Sequence, residues 1–199
     1  MVQSGRLLEL RFGWLVCAVA LLLAGAGNPG SAFAQVDGYS REAIRGYAVR
    51  IAVERDGGIL VTEDIEAVAL GHDIRRGIYR DIPLGGSGIG LFGGAKFDLV
   101  QTLRDGQPEP NRVEKSGGNI RIYLGQADVF LEPGIYRYRI VYRMSDQVRR
   151  YDEFDELYWN ATGNSWAFPI ENARVVVIPP SGAPVSQVAV YPGYRGARA

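Results

Sequence analysis

Cysteine is nearly missing from this chain: Cys17 is the only one among 199 residues, and it falls in an N-terminal segment that reads as an export signal. The residues after it carry neither disulfide nor thiolate, which excludes cysteine catalysis, zinc–thiolate sites and folds stapled by disulfides. Histidine is as scarce. His72 stands alone, so a two-histidine metal site is excluded, as is any scheme using one histidine as ligand and another as base. A Ser-His-Asp set stays formally available around His72, but no G-x-S-x-G elbow accompanies it. A surplus of charge is absent too, with 22 basic and 22 acidic residues. Nucleic acid, which calls for a clustered basic excess, is therefore not an expected partner. Helix signals are few, and the strongest, residues 40–44, is too short to stand alone in water.

A long apolar run occurs once. Residues 12–26 follow Arg6 and Arg11, are broken by Asn28-Pro29-Gly30, and lead to small residues at Ala32 and Ala34. The run is shorter than the roughly 20 residues that span a bilayer, so it predicts a signal peptide cut after Ala34. An uncleaved anchor is the alternative, disfavoured by that shortness. The expected plan is a signal peptide over 1–34 and a single domain over 35–199, located in the periplasm or on the extracytoplasmic face of the cell membrane. Losing Arg6, Arg11 and Glu9 leaves 20 basic against 21 acidic residues. A domain of this length buries about 70% of its unfolded surface, so packing alone can stabilise it.

What is present is period-two alternation, the mark of half-buried strands. Tyr47, Val49, Ile51 and Val53 take one face, Arg50 and Glu54 the other. Asp56-Gly57-Gly58 supplies a hairpin turn, and 59–70 returns with Ile59, Val61, Ile65 and Ala67 on one side. Strands are also expected over 97–103, 120–124, 135–143 and 174–178, with turns at Asp105-Gly106, Gly117-Gly118 and Pro133-Gly134. The predicted fold is all-β, a two-sheet antiparallel sandwich, immunoglobulin-like in general architecture.

The polar and aromatic motifs each have a plain reading beside a functional one. Gly88-Ile89-Gly90-Leu91-Phe92-Gly93 matches G-x-G-x-x-G, but a strand follows where a phosphate-binding helix is needed, so no nucleotide and no cofactor are expected. Asp152, Glu153, Asp155 and Glu156 could ligate calcium. Pairing with Arg149 and Arg150, which precede them, and with Arg137, Arg139 and Arg143 on one face of the neighbouring strand is the simpler account. Tyr158, Trp159 and Trp166 offer rings for a ligand, or belong to the core; alternation puts Tyr158 and Trp159 on opposite faces. Glu63 falls on the apolar face with Val61 and Ile65, where a carboxylate is costly unless paired, and Arg80 is the expected partner of Glu63 or Glu156.

Several motifs in order carry a family resemblance: Asp56-Gly57-Gly58-Ile59-Leu60-Val61-Thr62-Glu63, Gly77-Ile78-Tyr79-Arg80-Asp81-Ile82-Pro83, Ile120-Arg121-Ile122-Tyr123-Leu124-Gly125, Asp155-Glu156-Leu157-Tyr158-Trp159-Asn160 and Gly163-Asn164-Ser165-Trp166-Ala167-Phe168-Pro169. Together they resemble the N-terminal region of the predicted-membrane-protein family called domain of unknown function 2207, over residues 46–180. The resemblance implies an extracytoplasmic β-domain behind a signal peptide, followed in typical members by more of that domain and by transmembrane helices. It supplies no reaction, ligand or catalytic residue. Val188-Ala189-Val190-Tyr191 reads as the start of another strand, so the chain is either a piece of a longer domain or closes by another route.

The leading expectation is a non-catalytic recognition or scaffold module, with a membrane or envelope component as partner. Its candidate binding residues are Glu63, Tyr79, Arg80, Asp81, Glu156, Tyr158, Trp159, Asn160 and Trp166. The rival is a hydrolase of envelope polysaccharide using a carboxylate pair drawn from Glu63, Asp81, Asp155 and Glu156.

Overall fold

Alternation sustained over eleven residues at a time builds the largest sheet. A computed structural model describes residues 38–84, 95–116, 118–163 and 165–190. Among them there are strands but no helix: β1 (Ala43–Val53), β2 (Ile59–Ala69), β3 (Gly77–Pro83), β4 (Phe97–Arg104), β5 (Gln107–Pro108), β6 (Asn111–Ser116), β7 (Asn119–Gly125), β8 (Gly134–Met144), β9 (Val148–Arg150), β10 (Asp155–Leu157) and β11 (Ala173–Ile178). Six form one sheet in the order β11-β1-β2-β8-β4-β5; β3-β7-β6 form a second, and β9 and β10 a small hairpin. The glycine-rich G-x-G-x-x-G segment lies outside the described residues. No helix among the described residues is long and apolar enough to cross a membrane.

The two larger sheets share one core. Tyr47, Val49, Ile51, Ile59, Val61, Ile65, Tyr138, Ile140, Tyr142 and Met144 from the six-stranded sheet meet Ile78, Ile82, Ile120, Ile122 and Leu124 from the three-stranded one. Each such apolar side chain contributes about 1.5–3 kcal/mol when fully buried. Val53, expected inside, is half-buried at the end of β1.

One expectation, an all-antiparallel arrangement, needs correction. The sheet is mixed, because β11 runs parallel to β1, pairing Val49 with Val175 and Ile51 with Val177. A parallel neighbour needs a long crossover, and the chain supplies one in the stretch between β8 and β11. The weak helix signal at 40–44, too short to stand alone, gives no helix, and β1 begins within it at Ala43. There a bulge between Ile44 and Gly46 breaks the alternation and buries Ala43 and Ile44 together.

The second layer stops short of β11. Val175 and Val177 share the inward face of Val49 and Ile51, yet are 46% and 51% exposed. The outer face of the large sheet is salt-bridged, but not as expected. Arg137 and Arg139 pair with Glu66 and Asp64 of β2, their direct ladder neighbour, and Arg143 with Glu54 just past the end of β1, while of the acidic residues at 152–156 Glu156 meets Arg149 across the β9–β10 hairpin.

Gly77 and Gly125 face each other where β3 and β7 begin and end their pairing. Both have φ near +130°, and a Cβ on Gly125 would clash with the Arg76 carbonyl oxygen. No other residue fits. Gly125→Ala is expected to lower stability by at least about 1–3 kcal/mol from backbone strain, with the clash adding to it. Equilibrium urea unfolding checks this; an unchanged midpoint would refute the close approach.

Candidate functional site

Glu63 sits at the middle of β2 with its side chain turned into the core, flanked in register by Val49 and Ile140. It is fully buried, as is Arg80, which reaches it from β3 across the gap between the sheets. The pair is bidentate: Arg80 Nε donates to Glu63 Oε2 at 2.8 Å and Nη2 to Oε1 at 3.0 Å. Tyr47 and Tyr142 stand diagonally on the flanking strands and each donates a hydroxyl, to Oε2 at 2.6 Å and Oε1 at 2.7 Å. The carboxylate thus accepts four hydrogen bonds, two per oxygen, which is its full complement.

Two further guanidinium donors go to backbone. Nη1 donates to the Asp81 carbonyl at 2.6 Å and Nη2 to the Ala161 carbonyl at 3.2 Å. The second of these belongs to the segment 159–163, which with Trp166 lies over the pair. Within it the Asn160 carboxamide accepts from the Gly163 amide, and Trp166 Nε1 donates to the Thr162 carbonyl. Trp166 also packs edge-to-face on Tyr47, ring centroids 5.6 Å apart. Gly163 has φ +78°, and any side chain there would strike Arg80 Nη1. Burial by itself would lower the guanidinium's pKa, but the adjacent Glu63 carboxylate more than reverses it, so the arginine stays charged. Burial and the same carboxylate push the Tyr47 and Tyr142 hydroxyls well above the ordinary phenol range.

The expected site residues therefore divide. Glu63, Arg80, Asn160 and Trp166 converge on the buried centre. Tyr79 and Asp81 alternate to the outer face of β3, where Asp81 takes both Nε and Nη2 of Arg121 at 2.6 and 2.7 Å. Glu156 is not a partner of Arg80; it lies on the β9–β10 hairpin, 3.8 Å from Arg149. Tyr158 is half exposed, and Trp159 packs against the core with its buried Nε1 finding no hydrogen-bond partner among the described residues. Among the described residues no group of three or more His, Cys, Asp or Glu side chains is placed to hold a metal ion.

Sequence reasoning missed the two tyrosine donors, which occupy ordinary core positions and read as core. The signal was Glu63 itself, since a carboxylate at such a position needs more donors than one arginine gives. It also missed Glu42, a buried carboxylate that accepts the backbone amides of Leu70, His72, Asp73 and Ile74 at 2.8–3.2 Å and pins the turn after β2. Burial raises its pKa, but those four donors outweigh it and the net value is lowered.

Arg80→Ala would leave Glu63 buried and uncompensated, which costs about 3–5 kcal/mol against about 0–1 kcal/mol for a surface pair. Urea unfolding of Arg80→Ala, compared with Arg80→Ala/Glu63→Leu, is expected to show the double variant recovering much of the loss. A single-variant loss below about 1 kcal/mol would contradict the buried pair. For Glu42 the depressed folded pKa means its contribution is present above the unfolded value of about 4.3 and disappears as pH falls through the folded pKa. Glu42→Gln should lower stability at neutral pH and show a shallower acid limb than the parent; identical limbs would remove Glu42 from the account.

Residues 43–198 match the family model described as the N-terminal domain of predicted membrane proteins, domain of unknown function 2207. The Escherichia coli K12 protein described as "Uncharacterized protein YciQ" is 30% identical over 184 residues, covering 89% of this chain and 29% of that one. This chain thus spans less than a third of that relative's length. Among solved structures, a yeast LTA4 hydrolase aligns with 62% of this chain and 18% of its own at TM-score 0.39 and 14% identity. An M1 zinc metallopeptidase from Deinococcus radiodurans aligns with 52% of this chain and 20% of its own at TM-score 0.33 and 16% identity.

Proposed function

The chain belongs to this family of predicted membrane proteins, and from that premise we propose that it is a non-catalytic recognition or scaffold module of the cell envelope. On this reading residues 1–34 leave as a signal peptide and 35–199 form one immunoglobulin-like domain, held beside a membrane protein on the periplasmic or extracytoplasmic side.

The observation that carries the reading is the saturation of Glu63. The hydrolase alternative needs two carboxyl groups flanking a cleft roughly 5–10 Å apart, one of them free to carry a proton. Glu63 is wholly buried with both oxygens fully engaged, so it neither meets substrate nor has a lone pair left for chemistry. Asp81 is clamped by Arg121, and Asp155 and Glu156 stand on the separate β9–β10 hairpin, where Glu156 faces Arg149. What the buried centre provides instead is a rigid frame, on which outward-facing side chains keep fixed positions.

The full-length protein, incubated with protein-stripped envelope preparations, is expected to sediment with them and to release no soluble saccharide. Release of reducing ends that is lost in Asp81→Asn or Glu156→Gln, with folding intact, would establish the hydrolase in its place.

A further inference from the structure

β11 has the composition of an interior strand and the position of an edge. Val175, Val176, Val177 and Ile178 make it apolar on both faces, the pattern of a parallel strand covered on each side. It pairs with β1, and no strand among the described residues lies along its other side. Tyr47 N donates to the Asn172 carbonyl on the β1 side, so by alternation the backbone groups of Ala173, Val175 and Val177 point to the open edge. Val175 and Val177 are also half-exposed on the inward face, so ladder groups and apolar side chains are left open together. Natural edges are blunted by charge, proline or a bulge, and the stretch from Val175 to Ile178 has none of these.

The chain itself carries a segment of matching character. After β11, residues 184–190 run without a ladder partner among the described residues, with Val188 and Val190 in alternation and 78% and 77% exposed. They do not fold back on β11, and the turn between the two explains why. Ala183 N donates to the Pro180 carbonyl at 3.0 Å, and Gly182 has φ +82° while Ser181 is not left-handed, the φ signature of a type II turn. A two-residue turn of that hand splays its flanking strands, where types I′ and II′ would bring them together. Pro179 and Pro180 beside it have no N–H to give a ladder, and Arg55 Nη2 fixes the turn by donating to the Ser181 carbonyl at 2.7 Å. The strand-like segment is thus kept from the edge of its own chain.

We infer that the occupant of the β11 edge is residues 184–190 of a second copy of this chain, added as an antiparallel strand and exchanged reciprocally. Val188 then stands opposite Val177 and Val190 opposite Val175, so the added strand continues the inward apolar face and takes up the open backbone groups. Two-fold exchange uses the same two surfaces in each copy and closes at a dimer, leaving neither β11 edge open. The interface is independent of the envelope-recognition reading and of the buried centre.

Sedimentation velocity of the full-length protein over a concentration series is expected to show monomer passing to dimer. Val177→Lys, at the edge, and Val188→Pro, in the added segment, are each expected to weaken the dimer about tenfold or more. Val100→Lys, at a similarly exposed valine on β4, should leave it unchanged. All three positions are exposed, so the core stays intact, and circular dichroism reports that each variant is folded. The pairing itself is read by oxidising Val177→Cys/Val188→Cys in a Cys17→Ser background, since directly opposite residues, about 5.5 Å apart between Cα atoms, are within disulfide reach. A disulfide-linked dimer is expected on a non-reducing gel, with each single-cysteine variant staying monomeric. Loss of both thiols within a monomer would mean that the segment folds onto its own β11 and would overturn the exchange. So would a parent that stays monomeric or grows beyond a dimer, or folded Val177→Lys and Val188→Pro variants that dimerise as the parent does.

Discussion

A charged pair placed at the centre of an apolar core constrains everything around it. Removing a carboxylate and a guanidinium from water costs several kcal/mol per ion, and their attraction offsets this only when the geometry is close and the remaining hydrogen-bonding positions are filled. Glu63 and Arg80 meet those conditions through elements far apart in sequence: hydroxyls from β1 and β8, a carbonyl beside Arg80 itself, and a carbonyl from the 159–163 segment. Replacing such a pair by well-packed apolar residues is often neutral or stabilising in proteins. Its evident consequence here is specificity. A one-residue slip of β2 or β3 would turn Glu63 or Arg80 outward and leave its partner stranded, so the pair fixes register in both sheets and their relative placement.

The same logic sorts the other charges by depth. Glu42, buried without a counter-ion, is satisfied by four backbone amides and thereby ties the turn after β2 to the start of β1. Glu109, also buried, has its pKa raised by burial against the opposing pull of Arg104, 3.0 Å away. On the outer face of the large sheet the arginine–acid pairs are solvent-exposed and contribute little each. They do keep a strand face rich in arginine electrically mixed. Among the described residues the valines of β11 have no second layer over them, and there apolar side chains are exposed.

The all-β class, the turns at Asp56-Gly57-Gly58 and Asp105-Gly106, and the inward faces of β1, β2, β7 and β8 were legible in the sequence, because period-two alternation is a local property that registers burial directly. So was the need for a partner at Glu63, since a carboxylate among Val61 and Ile65 announces its own cost. Which carboxylate Arg80 took, Glu63 rather than Glu156, was decided only when the sheets stacked. The parallel placement of β11, the tyrosine donors and the backbone knot at Glu42 were likewise invisible, because each joins residues whose sequence separation carries no periodic signal. Periodicity tells which side of a strand meets the core; the partners that side finds there are fixed by long-range pairing, and only the tertiary structure specifies that.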